Sequence, residues 1–295
     1  MSIKTYLKRG ISYIIHGQPV VYNTVTANIS SLSPNDLLKG RTALITGGTS
    51  GIGLEMAISF INAGAFVVIT GRDESRLESA CLKIRNKTAQ VEKIASVVMD
   101  NRDVDTFNQK FLEILELTPN KQIDILVNNA GIIGEGSFGN IKSDVFDSVI
   151  GTNLKGVLFL SQIVAHHMKD NKIEGNILNL ASSSSLRPVT QTYTLSKWGI
   201  RGLTLGMARM LAPHNIVVNG IAPGPTATPM LMHNKVDDNI YHEKLINGRY
   251  ATPEEIANMG VILVSNMSRM IIGDIIYMTG GAGILTNDDM NYSFT

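Results

Sequence analysis

The stretch "ALITGGTSGIG" (residues 43–53) runs from a short apolar segment through a glycine-rich turn into a helical pattern. Ile52, Met56 and Phe60 follow at four-residue spacing and so share one helical face. Gly47 permits a tight turn, and Gly51 and Gly53 allow close approach of backbone, first strand and ligand. The free N–H groups that open a helix attract an anion such as a pyrophosphate. In the first strand–helix unit of a doubly wound sheet, that geometry holds a dinucleotide. The glycine spacing is Gly-x3-Gly-x-Gly rather than the commoner Gly-x-Gly-x2-Gly. A glycine turn with no ligand is the alternative.

Outward from this unit, short apolar runs recur: "TALIT" (42–46), "FVVIT" (66–70), "SVVM" (96–99), "DILVN" (124–128), "NILNL" (176–180), "IVVNGI" (216–221) and "DIIYM" (274–278). Their lack of polar alternation predicts strands buried on both faces. Between them lie amphipathic segments. Leu203, Met207 and Leu211 repeat at helical spacing, and "RDESRLESACLKI" (72–84) reads as a helix with Asp73 as its N-cap. Alternating strands and helices imply right-handed crossovers. The expected fold is α/β: a Rossmann-like doubly wound parallel sheet of about seven strands with helices on both faces. Residues 40–285 read as one domain, 1–39 as an N-terminal arm and 286–295 as a C-terminal tail.

Composition narrows the function. The chain has 295 residues, 44% of them hydrophobic, and 26 basic against 25 acidic residues, for a net charge of +1. That balance carries no electrostatic footprint for nucleic acid or a membrane surface. Cys81 is the only cysteine, so no intrachain disulfide can form, which suits a reducing cytoplasm. The apolar patch in "MSIKTYLKRGISYIIHG" is broken by Gly10, His16 and Gly17 too soon for a signal segment or a spanning helix. His166 and His167 read as a solvated helix face, and no metal site is expected. Trp198 reads as a packing residue.

In "QTYTLSKWGIRG" (191–202), Tyr193 and Lys197 stand four residues apart and share a helix face. An ammonium beside a phenol favours the phenolate, so the tyrosine pKa is expected to fall toward the range useful for proton transfer. Alone the spacing says little. In order along the chain, however, come "TGGTSGIG" (46–53), "NNAG" (128–131), Asn153 in "IGTNLKG", the serines of "NLASSSS" (179–185), "YTLSK" (193–197) and "PGPTAT" (223–228). Together these resemble the compact branch of the short-chain dehydrogenase/reductases over roughly residues 38–285.

The resemblance implies hydride transfer between a nicotinamide and a carbonyl or secondary alcohol, with four catalytic residues. Tyr193 would exchange the proton, Lys197 would lower the tyrosine pKa and bind the nicotinamide ribose, and Asn153 would hold a helix backbone and a proton-relay water. Ser182 would orient the substrate oxygen. Aligned on Asn179, Ser182 takes the catalytic place, but its loop to Tyr193 is shorter than the family's, and Ser183 and Ser184 remain alternatives. Candidate cofactor contacts are Gly47, Thr49, Ser50, Gly51, Ile52 and Gly53 of the turn, Arg72, Asp100 and Asn101, then Asn129, Ala130 and Gly131, then Tyr193, Lys197, Pro223, Gly224, Thr226 and Thr228. Asp100 or Asp103 could instead cap a helix. Ser184 and Gln191 are candidate substrate contacts.

The second strand ends in Gly71–Arg72, where an NAD-specific site usually carries a carboxylate for the ribose 2′-hydroxyl. A guanidinium there suits a 2′-phosphate, so NADP is the expected cofactor, with NAD possible. Residues 230–250, including His233, Lys235, Asp238 and Tyr241, read as a lid over the pocket. By resemblance the protein is a homotetramer or homodimer pairing helices in 142–170 and 191–212. Competing readings are an NAD-dependent alcohol dehydrogenase, an epimerase or dehydratase of the longer branch, and a dinucleotide-binding protein without turnover.

Overall fold

A computed structural model describes residues 35–285 except 233–238 and 244. Most of the expected arm and all of the expected tail lie outside the described residues, as do His233, Lys235 and Asp238 of the expected lid. Seven strands form one parallel sheet: β1 (Thr42–Thr46), β2 (Phe66–Gly71), β3 (Ile94–Val98), β4 (Ile125–Asn128), β5 (Asn176–Leu180), β6 (Val217–Pro223) and β7 (Ile275–Met278). Their order is β3-β2-β1-β4-β5-β6-β7. The chain winds outward from β1 to one edge, returns to β4 beside β1, and winds to the other edge. The reversal opens a crevice at the carboxyl ends of β1 and β4.

The apolar strand runs have no polar alternation because helices cover both faces. Ala43 and Ile45 of β1 point into one core and Leu44 into the other. The first core is closed by α1 (Gly51–Asn62), α2 (Glu74–Thr88) and a later helix, Pro253–Val264, through Phe60, Cys81 and Val261. The second is closed by α3 (Phe107–Leu117) and by the long helical run of residues 143–170, through Phe111, Leu160 and Val164. Residues 35–39 pack on the first core: Leu38 is fully buried, and its N–H donates to the Ala63 carbonyl at 2.8 Å.

The 143–170 run comprises α4 (Ser143–Ile150), a wide π-type turn (Gly151–Lys155) and α5 (Gly156–Asp170). By length and composition this run could cross a membrane, yet half of its apolar window is buried inside the fold, as a core helix requires. Next come α6 (Thr192–Leu211), the short α7 (Pro229–Met232) and α8 (Pro253–Val264).

Three local expectations need adjustment. β3 begins at Ile94, not residue 96, because Ile94 pairs with Val67 of β2. α2 continues past residue 84 to Thr88, and stops where Ala89 turns left-handed with φ 55°. His167 is not on a solvated face: its Nε2 accepts from the Ile123 N–H at 3.3 Å, its ring meets Phe111 edge-on, and burial pushes its pKa down. His166 is exposed.

Candidate active site

The carboxyl ends of six strands converge on one cleft of about 950 Å³. Its walls are the turn after β1, the ends of β2 and β3, the loop after β4, the serine run after β5, the start of α6, and the loop from β6 into α7.

The turn is shaped by contacts that only glycine permits. Gly47 has φ +65°, and a Cβ there would stand 2.8 Å from the Ala130 Cα. Gly51, with φ +55°, packs against Thr228. Gly53 does not line the cleft; it lies against the Asn129 side chain and the Gly47 carbonyl, so its place is in packing the turn. Thr46 staples the turn to β4. Its fully buried hydroxyl accepts from the N–H groups of Asn129 and Ala130, both at 3.1 Å. The Asn129 amide donates to the carbonyls of Thr46 and Gly47, both at 2.9 Å. Ser50 precedes α1 in extended conformation without a side-chain cap, which leaves the helix-start N–H groups free for an anion.

At the ends of β2 and β3 the cleft is cationic. Arg72 is exposed on the lining and forms no hydrogen bond or ion pair among the described residues. Asp73 caps α2, accepting from the Arg76 N–H at 3.0 Å and the Ser75 hydroxyl at 2.8 Å, as its sequence position suggested. Asp100 caps no helix. It grips Arg102, with Nη2 at 2.8 Å, and this hydrogen bonding holds its carboxyl below the usual range. Arg76 and Arg102, which the sequence reading passed over, line the same end.

At the other end stand Ser182, just beyond β5, and Tyr193 and Lys197 on α6. The Ser182 hydroxyl accepts from the Ser184 N–H at 3.1 Å and stands beside the Tyr193 phenol. Ser183 is buried and Ser185 donates to the Ser182 carbonyl at 2.7 Å. Lys197 is buried; its Nζ donates to the Leu180 carbonyl at 2.6 Å and sits 5.5 Å from the Tyr193 ring centre.

The expected fall in the tyrosine pKa is not what this geometry gives. Burial raises the Tyr193 pKa, and the neighbouring Ser182 hydroxyl only partly opposes it. Burial also lowers Lys197 from 10.5 to about 8. The enclosed lysine thus loses its charge before the phenol ionises, so the pair does not become an ion pair in this state.

Asn153 lies under the site rather than on its lining. Its Oδ1 accepts from the Ile132 N–H at 2.8 Å, and its Nδ2 donates to the Ile132 carbonyl at 2.9 Å and to the Ser196 hydroxyl at 3.2 Å. Ser196 in turn donates to the Tyr193 carbonyl at 2.7 Å. The π-type turn therefore ties the loop after β4 to the backbone that carries Tyr193.

Pro223, Gly224, Thr226 and Thr228 form the wall after β6, and Met230 and Leu231 of α7 continue it. Ser184 and Gln191 line the same end, joined by Arg187, which the sequence reading did not single out. Trp198 packs under this loop, donating from its indole to the Arg187 carbonyl at 2.8 Å with Arg201 stacked on its ring.

A dinucleotide fits these residues. Beyond the free helix start, two buried polar atoms at the ends of β2 and β3, Thr70 Oγ1 and Asn101 Nδ2, have no partner although their residues line the cleft. A ligand bearing acceptors and donors would satisfy both. Among the described residues, no three His, Cys, Asp or Glu side chains gather as a metal site would need.

Comparison with known proteins agrees with this anatomy. Residues 41–239 match the model of the short chain dehydrogenase family. The chain is 33% identical over 250 residues to the 3-oxoacyl-[acyl-carrier-protein] reductase FabG of Aquifex aeolicus, covering 83% of this chain and 98% of that protein. It superposes on the crystal structure of 3-ketoacyl-(acyl-carrier-protein) reductase from Brucella melitensis complexed with NADH, with TM-score 0.74 and 30% identity, over 84% of this chain and 100% of that one. A short chain dehydrogenase from Burkholderia cenocepacia in complex with NADP gives TM-score 0.73 at 28% identity, over 82% and 98%. The chain belongs to the short-chain dehydrogenase/reductase family, whose members are NAD(P)-binding oxidoreductases.

Proposed function

We propose that the protein is an NADP-dependent oxidoreductase in which Tyr193 exchanges a proton with the oxygen of a ketone or secondary alcohol. One observation carries this reading: Ser182, Tyr193 and Lys197 meet at one end of a cleft whose other end is the glycine turn and Arg72. The nicotinamide supplies or takes the hydride at the substrate carbon. In reduction the C=O π bond opens, a C–H bond forms from the hydride, and the phenol proton passes to the oxygen. Solvent then reprotonates the phenolate.

The chain's own residues prepare that transfer. The raised pKa keeps Tyr193 protonated at neutral pH, ready to donate. As the phenolate develops, the nearby Lys197 ammonium favours it. Ser182 hydrogen-bonds the substrate oxygen and shares its developing charge. Asn153 acts through Ser196, fixing the Tyr193 backbone.

At the adenosine end, Arg72 supports NADP over NAD, because its free guanidinium suits a phosphate and no carboxylate occupies Gly71. Ser184 and Gln191 contact the substrate. The enzyme works in the cytoplasm as a homotetramer or homodimer. A carbonyl panel with NADPH and NADH, followed by nicotinamide absorbance, tests the reading. Carbonyl-dependent loss of NADPH, faster than of NADH, is the expected result. Cofactor binding without consumption would instead indicate a binding protein, and product change without net consumption an epimerase or dehydratase.

A further inference from the structure

The cleft holds a second uncommitted guanidinium, at the end opposite Arg72. Arg187 lies on the loop that joins Ser182 to Tyr193, and lines the cleft beside Ser184 and Gln191. Its backbone is fixed on both sides: its N–H donates to the Ser184 carbonyl at 3.1 Å, and its carbonyl accepts the Trp198 indole at 2.8 Å. Its side chain turns toward Gly283. Nε lies 3.8 Å from where a Cβ on that glycine would stand, and the Ser183 carbonyl lies 4.0 Å from the same point. Arg187 is exposed, so its guanidinium stands at the open rim of the cleft.

Charge is unevenly placed along the cleft. The two lining carboxylates, Asp73 and Asp100, stand at the adenosine end, one capping α2 and the other gripping Arg102. Among the described residues, no carboxylate lines the end that holds Tyr193, and the Arg187 guanidinium forms no hydrogen bond or ion pair. The cleft lining also includes the apolar Ile132, Ile133, Met230 and Leu231. A guanidinium left open in such a site matches the two oxygens of a carboxylate or phosphate.

We propose that Arg187 binds an anionic group of the substrate, remote from the reacting carbonyl, so that the enzyme prefers keto acids or phosphorylated ketones over their neutral analogues. This rests on the oxidoreductase reading above. The loop that carries Arg187 begins at Ser182 and ends at Tyr193, so an anion held there fixes the carbonyl relative to both.

The test uses the full chain with NADP(H) and two matched pairs: 4-oxopentanoate against its methyl ester, and dihydroxyacetone phosphate against dihydroxyacetone. Two quantities are read for each: kcat/KM for reduction, and affinity for the NADP complex from the fluorescence of Trp198, the only tryptophan. The wild type is expected to favour the charged member of at least one pair by about tenfold or more in affinity. The pair that responds identifies carboxylate or phosphate. Arg187→Ala should bring the ratio to within about twofold of unity, and Arg187→Lys should keep part of it. Arg209→Ala, an exposed change on α6 outside the cleft, should leave it as in the wild type.

Equal binding of charged and neutral members in both pairs, or a preference that survives Arg187→Ala, overturns the proposal. Arg187-dependent binding of the charged member with no reduction of any probe would uphold the anion site and sink the oxidoreductase reading. Reduction without charge preference would do the reverse.

Discussion

Lys197 is enclosed by protein, and its one hydrogen bond goes to a backbone carbonyl, so the fold disfavours its charged form. Between about 8 and 10.5 the unfolded chain binds this proton and the folded chain does not, so the group's contribution to stability rises with pH across that window. Below about 8 both states are protonated and the burial penalty is fully present. The gap corresponds to roughly 3 kcal/mol. Lys197→Met removes the charge at similar volume. Urea unfolding should show the variant gaining relative to wild type at pH 7, with that relative gain shrinking by about 2–3 kcal/mol at pH 10.5. An unchanged difference between the two pH values would contradict the assignment.

At the same scale, Arg72→Ala should raise the KM for NADPH about tenfold or more, since one charged hydrogen bond contributes roughly 1.5–3 kcal/mol, and leave NADH nearly unchanged. Equal effects on both cofactors would return Arg72 to the ordinary surface. That Ser182, Tyr193 and Lys197 would line one cleft was legible because their motifs stand in a fixed order along the chain. The direction of the tyrosine shift was not, because spacing gives proximity to a charge but not the burial that removes it. Arg102 and Arg187 carried no motif and became visible only when distant loops met.

The strands were legible as elements because a run buried on both faces needs no polar alternation, and all seven short runs became strands. The π-type turn at Gly151–Lys155 was not. It depends on Asn153 reaching Ile132 and on Gly156 lying against the Asn101 carbonyl, contacts between elements far apart in sequence. The staple between β1 and β4 is of the same kind, and Thr46 had drawn no attention. Thr46→Val keeps the shape of the side chain but strips the Ala130 N–H of its acceptor and leaves the Asn129 N–H only the Val127 carbonyl, at 3.1 Å. Loss of about 1–3 kcal/mol in chemical denaturation is expected, with weaker dinucleotide binding. A neutral substitution would mean that the turn holds without it.

For the molecule as a whole, the sequence conveyed the fold better than the assembly. α4, α5 and α6 leave Phe146, Leu158, Phe159, Leu195 and Leu205 partly exposed on the chain alone. Such surface is consistent with pairing of these helices across a two-fold axis. Sedimentation at micromolar concentration should show a dimer or tetramer, and Phe159→Glu should shift it toward the monomer. A wild-type monomer would remove the assembly from the account.

The central claim is that Tyr193 delivers the proton that completes hydride transfer. It is tested most directly by comparing wild type and Tyr193→Phe for turnover of a reducible carbonyl and for NADPH affinity in the same preparation. Turnover should fall at least about a hundredfold, the range for a lost general acid, while NADPH binds as before. Turnover close to wild type with intact NADPH binding would contradict it.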